Sequence, residues 1–388
     1  MSEDASPLMR APEQVRQASF LELFFDLAFV FTLTRLSSEL LRNLNWAGAL
    51  RTLILLLPVW FIWRFTSLVT ARFRPDHQSV QIVVIVLMLA SLGIAVAIPG
   101  AYLDRGQLFA SLYVMISLGG PAFLLAVRFP HALRRLGWGC VFAAAWVAGA
   151  FAATGVARVA LWAVAAGLEL VVTHAGFPVP RYGRVPPSEV PVTSEYTSER
   201  QRQLLIIALG DSILVIGGEY SSGGLPAHAT AGFIVAFVAT VALWRIYIYR
   251  AGGMLATEVE ASQRPGHTVR TSGYAHLIMI AGIVTTTVGD DLVISHSTSH
   301  MRPAWLTALL GGPVLFLAGR ALLEHVVFGR VSWSRRIGPL VLAVLSPALL
   351  HTTPLVAGAV TALVLVGIAV ANVLSWRGRP LQTRSLRR

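Results

Sequence analysis

The sequence predicts an all-α protein: a polytopic transmembrane helical bundle of about twelve spans, built as a 6+6 parallel internal repeat. Three observations predict it. Of 388 residues, 55% are hydrophobic and only 13% charged, against about a quarter charged in a water-soluble domain, and the mean hydropathy is +0.67. Apolar stretches of about twenty residues, the length needed to cross a ~30 Å hydrocarbon core, recur along the chain. The basic residues alternate in density from one intervening loop to the next.

The spans, bounded by Arg, Pro, Gly or His, are expected at 20–41, 48–71, 79–98, 106–127, 135–153, 157–177, 201–220, 228–250, 272–294, 304–326, 337–351 and 354–375. The eleventh is short and contains Pro347, so its boundary with the twelfth is the weakest. Residues 1–19 then form a cytoplasmic tail with no apolar segment of signal-peptide type. Residues 20–177 form the first six-helix repeat, 178–200 a cytoplasmic linker, 201–375 the second repeat and 376–388 a basic cytoplasmic tail.

All 31 basic residues are arginine. Assigned to tails and loops, 23 fall on one side and 5 on the other, while Arg35, Arg64 and Arg245 lie within spans. By the positive-inside rule both termini are cytoplasmic. The arginines sit in short loops and form no basic stripe, so no nucleic-acid partner is expected; the partner is the lipid bilayer. A single cysteine, Cys140, excludes an internal disulfide and a cysteine-based metal site. No phosphate-binding, dinucleotide or nucleophile-elbow motif occurs in a plausible setting, and no cofactor is expected.

The repeat is read from four collinear anchors. GGPAFLLAVR from Gly119 to Arg128 matches GGPVLFLAGR from Gly311 to Arg320 at six of ten positions, offset by 192. Glu22 corresponds to Glu199, Trp63-Arg64 to Trp244-Arg245, and Arg134-Arg135 to Arg335-Arg336. Six spans is an even number, so the halves enter the membrane from the same side and are parallel, an arrangement found among secondary transporters.

Function is sought in charges inside the apolar spans, each costing ~2.5 kcal/mol or more at the bilayer centre. Glu22 and Asp26 lie one turn apart on span one; Glu22 reads either as a first-turn acid complementing the helix dipole or as part of a buried site. Arg64 reaches the depth of Asp26 from span two. Arg245 has the same relation to span eight, and Glu169 lies about eight residues from the inner end of span six. Asp211 falls near the midplane beside Gly210. Asp290, Asp291, His296 and His300 supply oxygen and nitrogen ligand types at the outer end of span nine, but without an organising metal motif they read as a solvated loop, and no metal is expected. His276 reads as a hydrogen-bonded core histidine.

FLELFFDLAFVFTLTRLS in span one, Glu199-Arg200 followed by LLIIALGDSILV in span seven, and HLIMIAGIVTTTVGDDLVI in span nine resemble signatures of the bacterial low temperature requirement protein A family. The resemblance covers Phe20 to about Trp376. It implies a multi-pass protein of the bacterial inner membrane, named for a requirement during growth in the cold. Its acidic positions match Glu22, Asp26, Glu199 and Asp290. Two departures stand out: LGDS replaces LGES, which puts Asp211 where a glutamate is expected, and Tyr196 stands where a histidine is expected.

The leading reading is a proton-coupled secondary transporter of an unidentified small-molecule substrate. Asp26, Asp211 and Glu169 would change protonation, Arg64 and Arg245 would act as counter-charges, and Glu22, Glu199 and Asp290 are further coupling or substrate candidates. No catalytic set is assigned. The alternative is a membrane-embedded enzyme acting on a lipid or isoprenoid-like substrate, which would need paired carboxylates facing a closed apolar cavity. A structural scaffold would tolerate neutralisation of the buried acids.

Overall fold

A computed structural model describes residues 19–185, 194–222, 226–249, 251–263 and 265–374. The expected terminal tails, residues 1–18 and 375–388, lie outside these. The described chain is all-α, its β structure being one isolated bridge between Val179 and Gly183. The helices are α1 Phe20–Arg42, α2 Trp46–Arg72, α3 Gln78–Ala97, α4 Gly106–Ala126, α5 Ala132–Phe151, α6 Gly155–Ala175, α7 Ser194–Ser222, α8 Ala227–Ile248, α9 Ala251–Ala261, α10 Pro265–Ser295, α11 Pro303–Phe328, α12 Trp333–Leu349 and α13 Pro354–Leu374. Among the described residues nine helices, α2, α3, α4, α6, α7, α8, α10, α11 and α13, are long and apolar enough to cross a membrane. The other long helices, α1, α5 and α12, are more polar or shorter. This is a polytopic membrane bundle.

Local chemistry sets the boundaries. The His77 ring accepts the Ser79 N–H at the start of α3, and α6 stops at Gly176, whose φ of 77° suits a residue without a Cβ. Proline opens α11 and α13, where a missing N–H costs nothing. The boundary left weakest by the sequence resolves at Leu350–Thr353, between α12 and α13, and α12 accommodates both Pro339 and Pro347.

Several expectations are corrected. α7 begins at Ser194 and not at 201, because SEYTSERQRQ is polar yet helix-competent; Glu199 is therefore inside the helix. The inner loop expected at 251–271 contains α9 and the first two turns of α10. Arg320, counted among loop arginines, is buried in α11, and Arg158, also counted there, is buried in α6. Asp290 and Asp291 are not in a solvated loop: α10 continues to Ser295 and buries both, while His296 and His300 are exposed.

The chain divides into two compact units, Met1–Glu39 with Ala47–Tyr196, and Leu40–Trp46 with Thr197–Arg388. In the first, Phe109 and Tyr113 of α4, Trp146 of α5 and Trp162 of α6 form an aromatic core with neighbouring ring centres 5.1–5.8 Å apart, and the Trp162 indole donates to the Trp146 carbonyl at 3.1 Å. The second is organised by α10 and α11, which approach at glycines. A Cβ on Gly282 would lie 2.5 Å from the Phe316 nitrogen, one on Gly312 2.5 Å from the Thr286 nitrogen, and one on Gly289 3.1 Å from Leu309 Cα. Small residues let backbones touch where apolar lipid supplies no hydrophobic drive. Outward faces carry Leu27, Leu89, Val344 and Leu363, each at least 65% exposed, an apolar surface suited to acyl chains.

Candidate functional site

In the first unit Ser19 caps α1. Its hydroxyl accepts the Glu22 N–H at 3.3 Å and donates to Glu22 Oε1 at 3.0 Å, so Glu22 does sit in the first turn as a dipole-complementing acid. It is also fully buried, and its Oε2 accepts from the Tyr196 hydroxyl at 3.0 Å. That hydroxyl lies 2.9 Å from Thr70 Oγ1 of α2. Asp26 is buried one turn further along. Arg64 is half-buried with its guanidinium 4.7 Å from the centre of the Trp60 ring, close enough to act electrostatically on Arg135. Both Asp26 and Arg64 are engaged by neighbours.

Glu169 is separate in character. It lies in α6, 9% exposed, at the end of the aromatic core, and accepts a 2.7 Å hydrogen bond from the Tyr113 hydroxyl. Among the described residues no guanidinium acts on it.

Outside the spans, two loop groups show ordinary electrostatics. The hydrogen bond from Arg74 to Asp76, 2.7 Å, holds that carboxyl below its usual range. Tyr102 donates to the Arg51 carbonyl at 3.0 Å, and burial pushes its phenol up, so it remains a donor.

In the second unit α7 and α10 run parallel, since hydrogen bonds join them at rising positions on both: Gln201 to Ser272 at 3.0 Å, then Ser212 to Thr287 at 2.8 Å. This register brings Asp211, fully buried, into the electrostatic reach of Asp290, 5% exposed, which also feels Asp291. Asp291 accepts from Ser295 at 3.1 Å and lies within hydrogen-bonding reach of Glu219. Glu199 is more ordinary. It pairs with Arg202 at 3.2 Å on its own helix and is 30% exposed. Arg245, half-buried, holds its guanidinium 5.4 Å from the Tyr249 ring centre. It is the charged member of an apolar groove of about 420 Å3 between α8 and α13. His276 is the expected core histidine, bonded to the Tyr247 hydroxyl at 3.0 Å and the Ser272 carbonyl at 2.7 Å. Among the described residues no three His, Cys, Asp or Glu side chains are grouped to hold a metal.

The sequence model of the family described as bacterial low temperature requirement A protein matches residues 17–370. The chain belongs to that family. This member of the low temperature requirement A family is similar to a protein of Rhizobium meliloti (strain 1021) described as uncharacterised, 30% identical over 319 residues that make up 80% of this chain and 78% of that one. No solved structure matches. In this family member the tyrosine at position 196 is integral to the Glu22 cluster, and Asp211 is buried with its shorter side chain.

Sequence reasoning missed two arginines that close helix ends. Arg158 donates to the carbonyls of Gly149, Ala150 and Ala153 at the end of α5 and to Leu103 at 2.8 Å. Arg320 donates to Ile246 and Tyr249 at the end of α8. Cations at helix C-termini satisfy the last carbonyls and the dipole together. The legible signal was an arginine within an apolar run, four residues before Glu324 in the second case. Arg335 was read only as a repeat anchor; its burial, 3% exposed, and its donation to Asn372 at 2.9 Å were missed.

Proposed function

We propose that this protein is a proton-coupled secondary transporter of the bacterial inner membrane, acting on an unidentified small molecule. One observation carries the reading: Glu169, a carboxyl deep in an apolar helix, is partnered by the phenol of Tyr113, with no guanidinium among the described residues to fix its charge. A carboxyl locked to an arginine acts as a structural pin. One held by a hydroxyl in an apolar wall can gain and lose a proton, and intramembrane acids are retained for such work. In the second unit Asp211 and Asp290 are further buried carboxyls within electrostatic reach of each other. Asp26 and Glu22 supply further acid near the cytoplasmic side, with Arg64 as counter-charge; Arg245 and Glu199 have peripheral parts.

The reading includes twelve spans, both termini in the cytoplasm, and two parallel repeats at 20–177 and 201–375 joined through 178–200. A structural echo supports the repeat. Arg135, near the start of α5, stacks 4.7 Å from the ring centre of Phe177, just beyond α6, and Arg335, near the start of α12, reaches Asn372 at the end of α13. An enzymatic reading calls for paired carboxylates facing an apolar chamber. The groove between α8 and α13 has Arg245 as its charged lining residue and no acid.

The test compares small-molecule pools of a deletion strain carrying wild-type protein, Asp211→Asn or Glu169→Gln. Both variants are expected to purify folded and to fail to restore the wild-type pools. Restoration by both would reduce the buried acids to a packing role.

A further inference from the structure

Helices α8, α10, α11 and α13 of the second unit line a partly open cavity of about 20 Å3, room for one particle the size of a water molecule. Most of its wall is apolar, but four groups bring oxygen to it. Asp290 lines it, 5% exposed, with an Oδ2 that has no hydrogen-bond partner among the described residues. Thr286 and Thr361 line it as well. Their hydroxyls donate along their own helices, to Gly282 at 2.9 Å and Ala357 at 2.8 Å, which leaves only lone pairs to offer. The fourth is Leu309. Pro313, four residues on and also in the wall, has no N–H to return to the Leu309 carbonyl.

The residues of this largely apolar wall thus include one carboxylate, two hydroxyls with lone pairs to offer and one peptide carbonyl without an i+4 partner. With Asp290 ionised, no side-chain donor in the lining is left to face it. The charged groups that act on Asp290 are Asp291 and Asp211, both acids. A water molecule there would have no donor to accept from. A small cation is satisfied by acceptors alone, and its charge offsets the cost of burying the carboxylate.

We propose that this cavity is a binding site for a dehydrated sodium ion. One carboxylate with neutral oxygens suits a monovalent charge. Magnesium keeps several of its waters, and calcium takes six to eight oxygens; a one-particle cavity accommodates neither. Freed backbone carbonyls in interrupted helices hold sodium in secondary transporters of other folds. As a binding site it stands on the cavity, and only its use as a second coupling ion rests on the transport reading above.

The experiment uses the purified full chain in detergent at one alkaline pH, with choline chloride keeping ionic strength constant. Sodium chloride should raise Tm saturably, potassium chloride should not, and radioactive sodium should bind with the same midpoint. Asp290→Asn should abolish both responses. Thr361→Val, which preserves shape, should move the midpoint to about tenfold higher sodium, as expected for a lost contact of ~1.4 kcal/mol, and it decides the matter if the Asp290 variant does not fold. Equal responses to sodium, potassium and choline, or a sodium response unchanged in the folded variants, overturns the site. Stabilisation by acid with none by sodium also overturns it, and would leave the proton-coupled reading intact.

Discussion

The Tyr196 hydroxyl joins three segments of the first unit, reaching Glu22 across 174 residues of sequence and Thr70 across 126. Sequence reading registered Tyr196 only as a departure from an expected histidine, because partners so distant leave no local pattern. Glu22 was legible in two ways, as a helix-start acid or as a buried one, and both describe it: Ser19 supplies the cap and burial is complete. Tyr196→Phe removes the shared hydroxyl while keeping the ring. We expect a loss of about 1–3 kcal/mol, the usual cost of withdrawing a partner from a buried polar group, seen as a lowered unfolding midpoint in detergent. An unchanged midpoint would mean that the remaining neighbours of Glu22 and Thr70 satisfy them fully.

At the level of elements, hydropathy located most helix bodies to within a few residues, because a span must be long and apolar to cross lipid. It failed where helices leave the apolar layer. The polar start of α7, the early start of α10 and all of α9 carry no hydropathy signal, and the burial of Asp290 in α10 went unrecognised because two adjacent acids look like a loop. The α10–α11 interface offers a controlled test. Gly311 and Gly312 are neighbours, yet a Cβ on Gly311 meets open space while one on Gly312 meets the backbone and hydroxyl of Thr286 at 2.5 Å. Gly311→Ala should be neutral or stabilising by up to ~1 kcal/mol through helix propensity. Gly312→Ala should destabilise by about 1–3 kcal/mol as the helices are forced apart. Thermal unfolding of the two variants side by side reads the difference, and equal effects would show that the interface is loose.

For the whole molecule, the arginine asymmetry carries the topology: 23 against 5 in tails and loops. The reassignment of Arg158, Arg200, Arg320 and Arg335 to buried positions in helices takes three from the richer side and one from the poorer, and leaves the bias standing. Reporter fusions at Asp76, between α2 and α3, and at Ser299, between α10 and α11, should therefore give cytoplasmic and external signals respectively. Matching signals would require an odd number of crossings to be removed or added between them. The family was legible from three short motifs spread over the chain. The chemistry was legible only as candidate acids, since a sequence shows that a carboxyl lies in a span but not whether a phenol or a guanidinium meets it.

The central claim is that protons drive transport through buried carboxyls, and it is tested most directly by uptake into liposomes containing the purified protein. The probe is the small molecule whose pool changes between deletion and wild-type strains. With an imposed pH gradient, wild-type protein should accumulate it, a protonophore should abolish accumulation, and Glu169→Gln should bind it but fail to accumulate it. Accumulation indifferent to both the gradient and the Glu169 substitution would contradict the account.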